Sequence, residues 1–346
     1  MIDNRTHVRD IGIDFAKILL MYLVVLGHII NVGSVDSLKT VYRIIYWFHM
    51  PAFFFITGYL TNLSKESFGE FTRRKAINYL VPYFTYCLLI FVLFRPRILA
   101  HFFRTFYSGG VHAGPTGPFW YISCLFMTLL FFKFLAQYKN IIAILVALIM
   151  WIVAHYFKDL LFLPTPSLLV NPLRSPTIPL PWGISQLFIS AMFFLLGQYA
   201  NKTRLSKLII KKKLPPLIIG VSLLILVVYR NYEFDMKKIE ASHTVLDVFI
   251  PMVFTLLVIE LSAQIVKCFP DSVRKLVVSV SKSSLVCLYI HMAVIHVLYD
   301  RLHLVLNEYG VFALALLIWI LAYIFYQLCL LSRATSLLFL GLYKRK

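Results

Sequence analysis

Long apolar runs separated by short polar connections dominate the chain. Ten such runs, near 11–31, 41–63, 76–95, 118–136, 140–158, 182–201, 213–230, 244–265, 284–300 and 310–332, each approach the length that crosses a hydrocarbon core roughly 30 Å thick. They predict about ten transmembrane helices. The connections run to only about twenty residues, too few for an independent core. Residues 1–346 are therefore expected to form one membrane-embedded domain, an all-α polytopic bundle. Two connections are irregular in composition. Leu163 to Trp182 carries Pro164, Pro166, Pro172, Pro176, Pro179 and Pro181 and reads as an extended loop. Arg95 to Pro118 carries Gly109, Gly110, Gly114, Pro115 and Gly117. No internal repeat is visible, whereas paired broken segments often mark transporters.

Composition strengthens the membrane reading. The chain is 60% hydrophobic with mean hydropathy +0.81, and 14% charged against roughly 25% in soluble domains. A net charge of +19 would suit nucleic acid, but the positions of the cations argue against that partner. With the N-terminus inside, the inner connections collect Arg5, Arg9, Lys65, Arg73, Arg74, Lys75, Lys139, Lys202, Arg204, Lys207, Lys211, Lys212 and Lys213. Lys267, Arg274, Lys275, Lys282, Arg333, Lys344, Arg345 and Lys346 join them. Outer connections hold fewer, among them Arg97, Arg104, Arg174, Lys237 and Lys238. This positive-inside asymmetry predicts cytoplasmic termini in a multi-pass protein of the inner (plasma) membrane. Part of the basic charge is also available to anionic headgroups or an anionic cofactor. Asp3 and Asp10 spoil a signal-peptide n-region, so the first helix is expected to be retained. Cys87, Cys124, Cys268, Cys287 and Cys329 show neither metal nor redox spacing and read as small apolar packing residues.

Candidate chemistry concentrates on the first helix. The eleven-residue step from Lys17 to His28 returns to within roughly 20° of the same direction. Asp14 precedes Lys17 by three residues and Asp10 precedes Asp14 by four, so all four share a stripe. Such groups are too costly to face lipid, so the stripe faces the protein interior or a watery cavity. At about 1.5 Å per residue, Lys17 lies about 8 Å inside the inner boundary and His28 about 24 Å in. An imidazole there can act as a base near neutral pH, and a hydroxyl becomes a good nucleophile only as its proton is removed. A structural Asp14–Lys17 pair with a hydrogen-bonded core histidine is the other reading. On helix two, Pro51 follows His49 and predicts a kink or local unwinding. Arg73-Arg74-Lys75, at the inner start of helix three, either clamps phosphates or only fixes orientation.

Ile13-Asp14-x-x-Lys17 followed by ten residues and His28 resembles the Arg/Lys-x10-His signature of the acyltransferase-3 family of integral membrane acyltransferases. Phe48-His-Met-Pro-Ala-Phe-Phe-Phe-Ile-Thr-Gly-Tyr59 is similar to the second-helix motif of its fucose 4-O-acetylase-like branch. Arg73-Arg74-Lys75 ahead of Pro82-Tyr83, Gly117 to Ile122, and Ser284 to His291 extend the resemblance in order to helix nine. The chain departs in using Lys17 rather than arginine, in Ile18 where glycine often follows, and in lacking a cation from Ala76 to Pro82. No soluble hydrolase-like domain follows helix ten, so the stand-alone type is expected.

The resemblance implies transfer of an acyl group, usually acetyl from acetyl-CoA, onto a hydroxyl of an envelope glycan or lipid-linked sugar. On that basis His28 is expected to act as general base, Lys17 to steady anionic charge and Asp14 to hold Lys17. Arg73, Arg74 and Lys75 are expected to grip the coenzyme's phosphates. His49 and His291 are second candidates, for orienting the site or the acceptor, with buried structural histidines the other reading. Trp120 and Tyr121 either stack on a sugar ring or belong to the interfacial aromatic belt. No metal is expected. His28 carrying the acyl group as a nucleophile fits the same residues. A transporter or flippase of lipid-linked saccharides, with Asp14, Lys17 and His28 as relays, is the rival class.

Overall fold

The computed structural model describes residues 9–173, 175–202, 214–228, 232–241 and 243–342. Of the cations that set the expected topology, Arg5, Arg174, Arg204, Lys207, Lys211, Lys212, Lys213, Lys344, Arg345 and Lys346 lie outside the described residues, as does Asp3.

A helix overlies every one of the ten apolar runs. In chain order these are α1 (Ile11–Val32), α2 (Lys39–Leu60), α3 (Phe68–Phe94), α5 (Trp120–Leu135), α6 (Asn140–Tyr156) and α8 (Ile184–Lys202). They continue with α9 (Leu214–Val228), α10 (Leu246–Lys267), α12 (Ser284–His296) and α13 (Glu308–Cys329). Four more helices fall in connections or the tail: α4 (Ile98–Tyr107), α7 (Ser167–Leu173), α11 (Asp271–Ser281) and α14 (Arg333–Leu340). The chain is thus an all-α, multi-pass membrane protein. Among the described residues, six helical segments are long and apolar enough to cross a bilayer, and a seventh counts if α11 and α12, bent by 62°, form one broken span. Two of the other runs are limited by their own residues. Lys39, Thr40, Arg43 and His49 make α2 polar, and α6 has only 17 residues.

Local signals fix where the helices begin. The Asp10 carboxylate caps α1 by accepting from the Ile13 N–H at 3.2 Å, so Asp10 serves the helix terminus rather than the stripe of polar groups above it. A capping box starts α3: the Ser67 hydroxyl accepts from the Glu70 N–H at 3.3 Å, and the Glu70 carboxylate accepts from the Ser67 N–H at 3.2 Å. That cap places the start at Phe68, ahead of the expected Ala76, and puts Arg73, Arg74 and Lys75 inside the helix. Pro51 does not break α2, which runs through it to Leu60.

Helix α1 is central. It packs against α2, α10, α11, α12 and α13, with Ala16, Leu20, Val25 and Ile29 wholly buried. Helices α2 and α8 approach most closely at two glycines. A Cβ on Gly58 would overlap the Phe194 carbonyl, and one on Gly197 would overlap the Phe55 carbonyl. Small residues allow such close backbone approach between membrane helices. Gly197→Val is therefore expected to push the pair apart and lower the detergent melting temperature by several degrees; an unchanged melting curve would contradict this packing.

The proline-rich connection is less irregular than expected. Phe162–Pro164 (β1) and Thr177–Pro179 (β2) pair antiparallel, with Leu163 opposite Ile178. The glycine-containing connection holds α4, whose Ile98, Leu99, Phe102 and Phe106 are exposed on one face while Ala100, His101 and Thr105 are buried. A hairpin over 232–241 is tied down at several points. The Asp235 and Glu240 main chains exchange two 3.0 Å bonds. Trp47 Nε1–H donates to the Tyr232 carbonyl at 2.7 Å, and the Gln186 amide donates to the Lys237 carbonyl at 2.8 Å. The Tyr232 hydroxyl donates to the buried Asp247 carboxylate at 2.8 Å, which also accepts from the His243 N–H at 2.9 Å and faces His155 Nε2 at 3.1 Å. A buried carboxylate persists only with such partners.

Candidate functional site

The two larger of the cavities described at the end of the bundle where α1 begins hold sequence candidates. One, of 590 Å³, takes Lys17 and Met21 from α1, Phe53 to Leu60 from α2, Arg74, Lys75 and Tyr79 from α3, Tyr121 and Leu125 from α5, and Ser284 to Leu288 from α12. Lys65, Glu66 and Lys282 complete its mouth. Five cations therefore surround one carboxylate there, and the Arg74 Nε–H donates to Glu66 at 3.0 Å. Lys75 Nζ lies 5.4 Å from the Phe71 ring and 5.6 Å from the Tyr79 ring, where the π faces favour a cation. The inner walls, Phe53, Ile56, Leu125 and Leu288, are apolar. The second cavity, of 970 Å³, shares Lys17, Asn62 and Lys65 with the first and adds Arg9, Asp14, Tyr59 and Asn140.

Asp14 is buried and accepts from Lys17 Nζ at 3.0 Å and from Arg9 Nε. Arg9 also donates to Ser281 Oγ at 3.1 Å, tying this ion triad to α11. Asp14 thus holds Lys17 at the wall between the two cavities. Arg9, one of the inner cations in the sequence, is the second partner of Asp14.

Three histidines gather on the far side of the first cavity's ceiling. The His28 and His291 ring centroids lie 5.2 Å apart, and His28 packs edge-on to Tyr46 at 6.1 Å. The Tyr46 hydroxyl is 3.4 Å from His28 Nδ1, and the Tyr46 ring lies 4.9 Å from that of His49. His49 Nδ1 donates to the Ile45 carbonyl at 2.7 Å, and His291 Nδ1 to the Cys287 carbonyl at 2.8 Å. His49 and His291 are buried and His28 is largely buried.

The two groups are adjacent levels of the same helices. Met21, Phe53 and Leu288 line the cavity's inner end. Along α2, His49 is four residues from Phe53, about 6 Å. Along α12, His291 is three residues from Leu288, about 4.5 Å. Along α1, His28 is seven residues from Met21, about 10 Å. The polar stripe of α1 consequently serves two neighbourhoods: Asp14 and Lys17 belong to the basic end, while His28 lines neither of these two cavities.

The remaining sequence candidates divide in the same way. Arg74 and Lys75 line the basic cavity, but Arg73 is exposed and outside it, because successive helical residues splay by about 100°. Tyr121 lines the cavity and contacts the rings of Phe53 and Phe54, whereas Trp120 is buried beside it. Neither aromatic sits in an exposed belt. Lys65, Lys282 and Tyr46 escaped the sequence reading, since their motifs place them only as loop cations or as an apolar-helix aromatic. Lys237 escaped it too. From the 232–241 hairpin its ammonium donates to the carbonyls of His112 at 2.7 Å and Gly117 at 3.3 Å, and burial pushes its pKa down to about 8. Among the described residues, no group of three His, Cys, Asp or Glu side chains is arranged to hold a metal.

A family model described as an acyltransferase domain matches residues 10–330. The chain belongs to that family. Over 181 residues it is 28% identical to the nodulation protein NolL of Mesorhizobium japonicum, a match covering 50% of this chain and 46% of that protein. Over 145 residues it is 32% identical to the nodulation protein NolL of Sinorhizobium fredii, covering 38% of each. The chain thus spans less than half the length of these two relatives. No solved structure matches it. The matched range runs through the residues brought together above from Asp14 on α1 to His291 on α12, with Arg9 just before it.

Proposed function

We propose that this protein is a membrane O-acyltransferase that carries an acyl group, acetyl from acetyl-CoA, onto a hydroxyl of a cell-envelope carbohydrate. It would sit in the inner membrane with about ten crossings, both termini cytoplasmic, the basic cavity opening inward and the histidines in the outer half. The observation that carries this reading is the layering of three helices: α1, α2 and α12 line the inner end of the basic cavity and each bears a histidine within one or two turns beyond it.

The residues suit the donor. Lys17, Lys65, Arg74, Lys75 and Lys282 match a nucleotide's phosphates, for which charge-assisted hydrogen bonds are the strong contacts. Phe53, Ile56, Leu125 and Leu288 match the less polar arm that carries the thioester. When bound, the donor supplies an activated acyl carbon with thiolate as leaving group. His28 takes the acceptor's hydroxyl proton as that oxygen attacks, and the Tyr46 hydroxyl beside Nδ1 orients the ring. Asp14 keeps Lys17 extended toward the phosphates instead of toward lipid.

Incubating the purified protein with radiolabelled acetyl-CoA and envelope carbohydrates tests this directly. Label on a carbohydrate hydroxyl, or donor hydrolysis without acceptor, is the expected result. Inertness toward every acceptor, together with movement of a lipid-linked saccharide across proteoliposomes, would favour a transporter.

A further inference from the structure

We infer that His291 is a second catalytic residue, a general acid that delivers to the leaving thiolate the proton His28 removes from the acceptor. The inference rests on the acyl-transfer reading and adds a division of labour between two imidazoles.

Hydrogen bonding fixes the role that His291 is able to play. Its Nδ1 lies 2.8 Å from the Cys287 carbonyl, which is only an acceptor, so Nδ1 carries the ring's proton and Nε2 presents a lone pair. The ring is fully buried, yet Nε2 has no hydrogen-bond partner among the described residues. Buried polar atoms are normally paired, and an unpaired one costs about 1–3 kcal/mol. An unpaired imidazole nitrogen beside a second imidazole, with centroids 5.2 Å apart, is a place for a proton to go.

Position then separates the two rings. His291 stands about 4.5 Å along α12 from Leu288 at the donor cavity's inner end, whereas His28 stands about 10 Å along α1 from Met21. A thioester reaching up from the basic mouth brings its sulfur nearer to His291. An acceptor hydroxyl arriving from the other side meets His28 and Tyr46 first.

The step balances with the two substrates alone. The acceptor oxygen forms a bond to the thioester carbon as its proton moves to His28. The carbon–sulfur bond breaks with its electron pair on sulfur. The proton passes from His28 to Nε2 of His291, whose imidazolium keeps Nδ1–H on the Cys287 carbonyl, and then to sulfur. Ester and free thiol leave, and both rings return to neutrality.

Leaving-group acidity separates this role from a packing role. Transfer is measured for wild type, His291→Gln and His28→Ala with acetyl-CoA and with phenyl thioacetates graded in thiol acidity. Loss of a general acid costs about 10²- to 10⁴-fold for a basic leaving group and progressively less as the thiol becomes more acidic. His291→Gln is thus expected to lose at least about 100-fold with acetyl-CoA and about 10-fold or less with the most acidic aryl thiol. His28→Ala should lose the same factor on every donor. A uniform loss in His291→Gln, or no loss, overturns the inference while leaving acyl transfer intact. A wild type inert toward all donors overturns the acyl-transfer reading and the relay with it. If His291→Gln does not fold, His291→Asn is measured against the same donor series with the same two outcomes.

Discussion

His28→Ala is expected to lower kcat for acyl transfer by about 10²- to 10⁴-fold, the usual worth of a positioned acid–base group, with little change in KM for the donor. The separation of KM from kcat follows from the layering. His28 lines neither cavity at the basic end, so donor phosphates and their lysines do not sense its loss. Stability should fall modestly, because the ring is largely buried against Tyr46 and His291, while its hydrogen-bond neighbour, the Tyr46 hydroxyl, lies at 3.4 Å. Single-turnover assays with labelled acetyl-CoA, beside a melting curve of the same sample, check both halves. Full activity in the alanine variant would sink the base assignment.

The second large effect belongs to Lys17. Of two ways for Lys17 to steady anionic charge, on the donor or on the developing oxyanion, its distance from His28 favours the first. Eleven residues of α1 put His28 about 16 Å along the axis from Lys17, farther than a lysine side chain extends. Lys17 also shares its cavity with Lys65, Arg74, Lys75 and Lys282. Lys17→Met is accordingly expected to raise KM for acetyl-CoA by roughly 10- to 100-fold, as a charge-assisted bond worth about 1.5–3 kcal/mol requires, and to leave kcat nearly unchanged. Arg73→Ala, outside the cavity, should change neither constant appreciably. Steady-state kinetics at constant ionic strength distinguishes the cases. A fall in kcat at unchanged KM would assign Lys17 to the reacting carbonyl instead.

Together these effects describe a protein that works from two ends. On the proposed acyl-transfer reading, a basic mouth recognises charge at one level, and histidines at the next level manage protons. Met21, Phe53 and Leu288 line the cavity end nearer the histidines, and on the same reading the donor's slim, uncharged arm passes there. Asp14 is the structural hinge of that arrangement. One carboxylate, held by Arg9 and Lys17 together, anchors the first turns of α1 to α11 and aims an ammonium at the mouth.

Much of this was legible in residue order because membrane helices are local objects. Hydropathy located a helix at each of ten runs, since the backbone of a lipid-buried segment must satisfy its own hydrogen bonds. The i, i+3 spacing of Asp14 and Lys17 predicted a contact that a single helix enforces, and it is present at 3.0 Å. Less regular features escaped. The apolar face of α4 was masked by neighbouring glycines, and the start of α3 depended on a capping box whose Ser67 and Glu70 lie outside the apolar run.

What the sequence determined by itself is the set of apolar helices, the shared face of Asp14, Lys17 and His28, and the likeness to membrane acyltransferases. Those follow from helical periodicity and from the cost of polar groups in lipid, which act within one segment. The tertiary structure alone decided that Lys17 shares a cavity with Arg74, Lys75 and Lys282 while His28 lines neither cavity, that Arg9 completes the Asp14 triad, and that His291, 263 positions further along the chain, lies against His28 with ring centroids 5.2 Å apart. Those facts depend on which helices pack side by side, and no spacing along a single chain encodes that.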